Sequence, residues 1–284
     1  MIKIDKEKCT GCGLCARICH EQCITLSALN GNKVEKIDHS ICSTCIQCIG
    51  VCPKQALSWN QIPSVPYNRK HLPSGEQLVE LLKQRRTTRY FKDKKIDRDL
   101  LAEIIGMGIY APTNNYDLRA IVVDDPRTME ELDNIIMGFV AWLYRICYQS
   151  NLAFKLFSKI TPKINAKHQI KLARGLEVGH SYDSLQTTLV FIVGDSRIPL
   201  SEASAQYALY NMILYAQTKR IGSRIKAAGS VTLDKSWKAR KRLGLRRHEH
   251  VLATVELGYP SVKFSNKVQG KRMLISWCGS EQHV

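Results

Sequence analysis

Eight cysteines stand in two short runs, "CTGCGLCARIC" from Cys9 to Cys19 and "CSTCIQCIGVC" from Cys42 to Cys52. Both follow C-x2-C-x2-C-x3-C, and the second is closed by Pro53. Thiolate sulfur is a soft ligand. This spacing lets three thiolates of one loop wrap an iron–sulfur cubane while the fourth, on a helix, reaches a second one. The spacing therefore assigns Cys9, Cys12, Cys15 and Cys52 to one [4Fe–4S] cluster, and Cys42, Cys45, Cys48 and Cys19 to another. A pair of zinc sites would favour two C-x2-C pairs over three-plus-one. Cys23, Cys147 and Cys278 are left over, and Cys23 reads as a small buried apolar residue rather than a spare ligand.

A second kind of chemistry is offered by "QRRTTRYF", Gln84 to Phe91. Three guanidiniums and two hydroxyls within five residues can grip a phosphate, each charge-assisted bond contributing roughly 1.5–3 kcal/mol. Taken alone, the same residues also suit a solvated basic helix end. A third feature is Lys155, Lys159, Lys163, Lys167 and Lys171 at a strict four-residue step. On a helix that step gives a slowly drifting basic stripe, although Pro162 interrupts it. Phe154, Leu156, Phe157 and Ile160 supply an apolar complement.

These residues need elements to position them. Composition changes near Trp59, where a cysteine-rich segment gives way to "NQIPSVPYNRKHLPSG", which reads as an extended linker. The division expected is 1–58 for the cluster module, 59–75 for the linker and 76–284 for a larger domain. The larger domain opens with a helix carrying Leu78, Leu81 and Leu82. Asp97 caps a second helix in which Leu100, Leu101, Ile104 and Ile105 repeat at helical spacing. Arg119–Asp125, Thr187–Asp195 and His250–Pro260 read as strands, and Ser201 as the cap of a helix running to Arg220 with Gly222 as its stop signal. Few strands among long helices point to an α+β layer rather than a doubly wound sheet.

With 284 residues, the chain can hold one large and one small domain. Its opening, "MIKIDKEKC", lacks the apolar core of a signal peptide, and its most apolar stretch, Ile135–Tyr144, falls short of the roughly 18 residues that span a bilayer. Cytoplasmic placement is the expectation. The net charge is +17, but residues 1–60 hold seven Lys/Arg against five Asp/Glu, so the remainder carries +15. Bound clusters would lower that total.

Residues 1–58 resemble bacterial two-cluster ferredoxins, with His20 standing where proline usually follows the fourth cysteine. From about residue 76 to 277, "RRTTRYF", "APTNN", "RAIVV", "ALYNMILYAQTKRIGS" and "VELGYP" arrive in an order that resembles the nitroreductase superfamily of FMN enzymes. The fold implied is α+β: a small two-cluster ferredoxin domain followed by a nitroreductase-like α+β sandwich. The resemblance places Arg85, Arg86, Thr87 and Arg89 at the FMN phosphate and ring edge. It places Asn115 facing the pyrimidine, Ala228 and Gly229 near flavin N5, and Lys271 and Arg272 as a returning basic pair at the phosphate. The chain departs from the family at Asp117-Leu118-Arg119, at Arg220-Ile221-Gly222 and in a basic insert from about Ala141 to Gly179.

The function implied is an FMN-dependent oxidoreductase that passes electrons from two [4Fe–4S] clusters to FMN and on to an organic acceptor such as a nitroaromatic or quinone. No side chain is singled out as nucleophile or acid–base catalyst, Tyr116 included. The resemblance also implies a homodimer with FMN at the interface. An acidic donor such as ferredoxin or flavodoxin suits the charge. The basic insert reads first as a solvated lid, then as a surface for an acidic partner, then for a membrane; nucleic acid comes last because no recognition motif supports it. The rival readings are a ferredoxin-type electron carrier and a redox-sensing or docking protein without its own substrate.

Overall fold

The computed structural model describes residues 1–112, 117–161, 164–182, 184–226, 229, 232–267 and 273–278. Asn115, Tyr116, Pro162, Lys163, Ala228, Lys271 and Arg272 lie outside them.

The cysteine-bearing part is built twice over. Helix α1 (Leu14–Ile18) and helix α2 (Gln47–Val51) have matching lengths, and Cys15 and Cys48 are each the second residue of their helix and buried. Each is entered through a left-handed residue, Gly13 at φ 70° and Ile46 at φ 56°. Gly11 and Thr44 match in the same way at φ 74° and 55°. Gly11 cannot be anything larger, because a β-carbon there would lie 1.9 Å from the Gly31 carbonyl oxygen. Strand β1 (Ile2–Ile4) pairs antiparallel with β4 (Leu57–Trp59), and β2 (Ile24–Ser27) with β3 (Lys33–Ile37). Ile2, Ile24, Val34 and Leu57 form the small core beside Cys15, Cys23 and Cys48. Strand β5 (Ile62–Pro63) adds to β4, so this sheet takes up residues from the expected linker.

The larger part is a four-stranded, wholly antiparallel sheet in the order β6 (Arg119–Val123), β7 (Thr188–Asp195), β9 (Glu249–Gly258), β8 (Gly222–Ile225). Alternate residues of β7 face opposite sides. Val190 and Ile192 pack with α4 (Arg98–Gly106) and α8 (Ser201–Thr218), through Leu101, Ile104, Leu209 and Ile213. Leu189, Phe191 and Val193 pack with α5 (Pro126–Tyr148) and α9 (Trp237–Arg242), through Met129, Leu132, Ile136 and Ala239. A sheet covered by helices on both faces is the α+β sandwich expected.

Local signals placed most elements. Helix α3 (Gly75–Gln84) starts with a full capping box between Ser74 and Gln77, and Asp97 caps α4 through the Asp99 and Leu100 amides. The end of α8 differs from expectation. Its N-cap is Leu200, at φ 62°, and Ser201 is the buried first helical residue. At its other end Arg220 takes the left-handed position at φ 60°, and the Ile221 amide donates back to the Ala216 carbonyl at 2.9 Å. Gly222, read as the stop signal, opens β8 instead. The basic insert folds as α6 (Asn151–Ile160) and α7 (Ala166–Val178), so the lysine step is split between two helices.

Candidate redox site

Four thiols converge as the spacing requires. One cavity is lined by Cys9, Cys12, Cys15 and Cys52, walled by Ile4, Leu26, Val34 and Leu57. Three of its sulfurs come from the first run and the fourth from the end of the second. Burial raises the Cys15 thiol above its ordinary pKa, and Cys52 and Cys9 add to the rise. The mirror-related Cys48 is pushed up to about 12, again mainly by burial, with Cys45, Cys42 and Cys15 adding to it. Buried, mutually repelling thiols of this kind suit a cationic metal core, which deprotonates the sulfur it binds. Cys23 is buried as expected, its sulfur 3.4 Å from that of Cys19. Burial, then Cys19 and Cys42, push its thiol up to about 12. A protonated, apolar neighbour beside the second set is the consequence.

The arginine segment leaves α3 as extended chain along β8. Thr87 bridges Ser223 in parallel, and the Thr88 amide donates to the Ser223 carbonyl at 2.9 Å. Burial separates the side chains: Thr88 is buried, Arg85 half-buried, and Thr87 and Arg89 exposed. Arg86 turns back, donating to the Lys83 and Arg85 carbonyls at 2.7 and 2.8 Å, where the α3 carbonyls lack helical partners. It also lines a groove of about 240 Å³ with Thr88, Arg220, Ser223 and Lys263, and among the described residues none of the lining is acidic. Arg220, Ser223 and Lys263 were not legible as site residues. They come together only because α8 ends in its left-handed turn beside β9.

Arg119 is paired within the protein. Its Nε and Nη2 donate to Glu249 at 3.0 and 2.6 Å, and Nη2 also to the Gly244 carbonyl at 3.2 Å, tying the start of β6 to the start of β9.

Residues 82–259 match the family model "Nitroreductase family", and residues 8–56 match "4Fe-4S dicluster domain". The chain belongs to the nitroreductase family. It carries a 4Fe-4S dicluster domain ahead of the nitroreductase domain and is an oxidoreductase. Among solved structures, a nitroreductase with bound FMN from Bacteroides fragilis is 24% identical, aligned over 70% of this chain and 99% of that one, at TM-score 0.51. A nitroreductase with bound FMN from Desulfitobacterium hafniense is 17% identical, over 70% of this chain and 97% of the other, at TM-score 0.53. No curated protein sequence matches.

Within the nitroreductase domain, a buried polar network lies at the end of β8, close to Gly229. Glu256, fully buried on β9, accepts from Arg224 Nε at 2.7 Å and from Thr187 Oγ1 at 3.0 Å, and lies 3.5 Å from Lys226 Nζ. Lys226 donates to the Ser181 carbonyl and hydroxyl, each at 3.0 Å, and Ser181 in turn hydrogen-bonds Asp133 of α5. Burial holds the Lys226 ammonium below its ordinary pKa, while Glu256 opposes the shift. Gly229 is buried beside Thr254, where a β-carbon would lie 3.1 Å from Oγ1. The network therefore fixes the exit of β8. A lone Glu in an apolar strand run was the only sequence signal for it.

Proposed function

We propose that this chain is an FMN-dependent oxidoreductase that takes electrons through two [4Fe–4S] clusters and delivers them to a conjugated organic acceptor, a nitroaromatic or a quinone. The observation that carries the reading is the meeting of Cys52 with Cys9, Cys12 and Cys15 around one cavity, in the same chain as a nitroreductase fold. A crossed ligand set places two clusters side by side, which serves electron transfer and suits no hydrolytic role. FMN, when bound, supplies the junction between one-electron clusters and two-electron reduction of an acceptor.

The protein's own residues bind and orient. Arg85, Arg86, Thr87 and Arg89 hold the flavin phosphate and reach the ring edge, with Asn115, Ala228, Gly229, Lys271 and Arg272 completing the contacts by resemblance to the family. Residues 1–58 act as the cluster module, 59–75 as the connection and 76–284 as the flavin domain. A cytoplasmic, reducing compartment suits eleven cysteines without a disulfide framework. A homodimer fits the segment after β9, where Phe264, Met273, Leu274, Ile275 and Trp277 are exposed and a second copy would cover them. An acidic ferredoxin or flavodoxin fits as donor to a chain of net charge +17.

The test is anaerobic purification followed by iron, sulfide and FMN quantitation and reduction by a ferredoxin. Eight irons and one FMN per chain, with acceptor turnover, are expected. Clusters without flavin would favour the electron-carrier reading. Stoichiometric zinc would overturn the cluster assignment.

A further inference from the structure

The α5–α6–α7 unit is pinned from within and leaves one face of α6 uncovered. Tyr148, at the end of α5, is buried. Its ring packs on Phe154 of α6 with centroids 5.8 Å apart, and its hydroxyl meets Nδ1 of His168 on α7 at 2.6 Å. Gln169 Nε2 donates to the Tyr148 carbonyl at 3.2 Å. Phe154 and Phe157 are accordingly half-buried.

At four-residue steps on another side of α6 stand Leu152, Leu156 and Ile160, which are 79%, 57% and 69% exposed. Lys155 and Lys159, both exposed, flank this stripe. Three large aliphatics aligned in water are a face awaiting cover. The charge around them narrows what can cover it. From Asn134 to Leu176 the sequence has no acidic residue, while Lys155, Lys159, Lys167, Lys171 and Arg174 are all exposed on α6 and α7. A second copy meeting this face through the same face would set lysine against lysine. An anionic surface complements it. Apolar side chains flanked by lysines on a short amphipathic helix are the makings of an interfacial anchor, in which the stems lie along the acyl boundary and the ammonium groups reach lipid phosphates. No helix among the described residues is long and apolar enough to cross a membrane, so contact through α6 is contact with a surface.

We infer that α6 seats this protein on the anionic surface of a lipid bilayer, with Leu152, Leu156 and Ile160 entering the headgroup boundary and Lys155 and Lys159 pairing with lipid phosphates.

The test is co-sedimentation of the cofactor-loaded, full-length protein with vesicles of phosphatidylcholine alone or mixed with phosphatidylglycerol. Binding is expected only to the mixed vesicles, weakening as salt is raised. The K155Q/K159Q pair should lower that affinity about 30-fold, from about fivefold per lysine near an anionic surface. The L156S/I160S pair should lower it by about tenfold or more. Both pairs are on the surface, so unchanged FMN content and far-ultraviolet circular dichroism will establish that the domain carrying α6 is folded. Binding that survives L156S/I160S, or that is equal on both vesicle types, would overturn the inference. Failure to pellet with either would overturn it too and leave the face to an acidic protein.

Discussion

Gly222 and Thr88 meet so closely that a β-carbon on the glycine would lie 2.4 Å from the threonine Oγ1, 2.8 Å from its Cβ and 2.9 Å from its Cγ2. The contact seals the arginine segment to β8, beside the 2.9 Å hydrogen bond from Thr88 to Ser223. A methyl group there has nowhere to go, because Thr88 is itself buried.

Gly222→Ala should therefore cost about 1–3 kcal/mol of stability by overpacking. Because it moves the strand that presents Thr87 and Arg89, it should also weaken FMN retention. Gly175 of α7, with nothing within 4 Å of its built β-carbon, is the control. Gly175→Ala should be neutral or slightly stabilising, since glycine within a helix costs roughly 0.5–1 kcal/mol. Denaturant midpoints and released FMN measure both. Equal behaviour of the two variants would show that the close approach does not constrain the segment.

Gly222 also shows where the sequence was readable and where it was not. A glycine soon after a helical run signals a helix stop by local chemistry, and that signal put the end of α8 within two residues of its place. The reason for this glycine lies 134 positions earlier in the chain, at Thr88. No local pattern carries that. The cysteine runs lie at the other extreme. Their spacing alone predicted that Cys52 would join Cys9, Cys12 and Cys15, and the cavity brings those four together. Strands β7 and β9 were legible because buried strands read as continuous apolar runs. Strand β8, "GSRI", was not, since its two polar residues are satisfied by partners distant in sequence, Arg224 by Glu256 among them.

The Glu256 carboxylate balances Arg224 and Lys226 inside the sheet. Glu256→Gln should be strongly destabilising, by about 3–5 kcal/mol, because it leaves two buried cations without their counter-charge. Thermal unfolding followed by circular dichroism measures it. A loss below about 1 kcal/mol, the range of an exposed pair, would mean that solvent reaches the network.

Glu249 gives a pH dependence. Hydrogen bonds from Arg119 hold its carboxyl below the ordinary value of 4.5. A carboxyl lowered on folding stabilises the native state above its unfolded pKa and loses that contribution as pH falls through the folded value. The stability gap between the parent protein and Glu249→Gln should thus be widest at neutral pH and should close once pH drops below the ordinary carboxylate range. Urea midpoints across that range test it. A gap that widens on acidification would contradict the sign.

The arginine segment provides a test of flavin placement. Arg85→Ala and Arg89→Ala should each weaken FMN binding by about tenfold or more, the worth of one charge-assisted bond to phosphate. Lys155→Ala, on α6, should leave it unchanged. Fluorescence of released FMN against protein concentration reads the constants. Unaltered binding in both arginine variants would move the phosphate elsewhere.

The last prediction concerns the path of electrons. The cluster module and the nitroreductase domain have hydrophobic cores with no residue in common, one around Leu57 and Val34, the others around Val190 and Phe191. Deleting residues 1–63, which removes the first sheet through β5, should leave a folded protein that still binds FMN. A small strong reductant should reduce that flavin as before. Reduction by a ferredoxin should fall steeply, because nothing then bridges donor and flavin. In the full-length protein the same rate should drop as salt rises, since screening within about 10 Å at 0.1 M weakens attraction between a basic surface and an acidic donor. Stopped-flow traces of flavin reduction, with and without residues 1–63 and at two salt concentrations, decide it. Equal ferredoxin-driven rates in the two proteins would mean that electrons bypass the clusters. The eight cysteines would then hold structure rather than carry current.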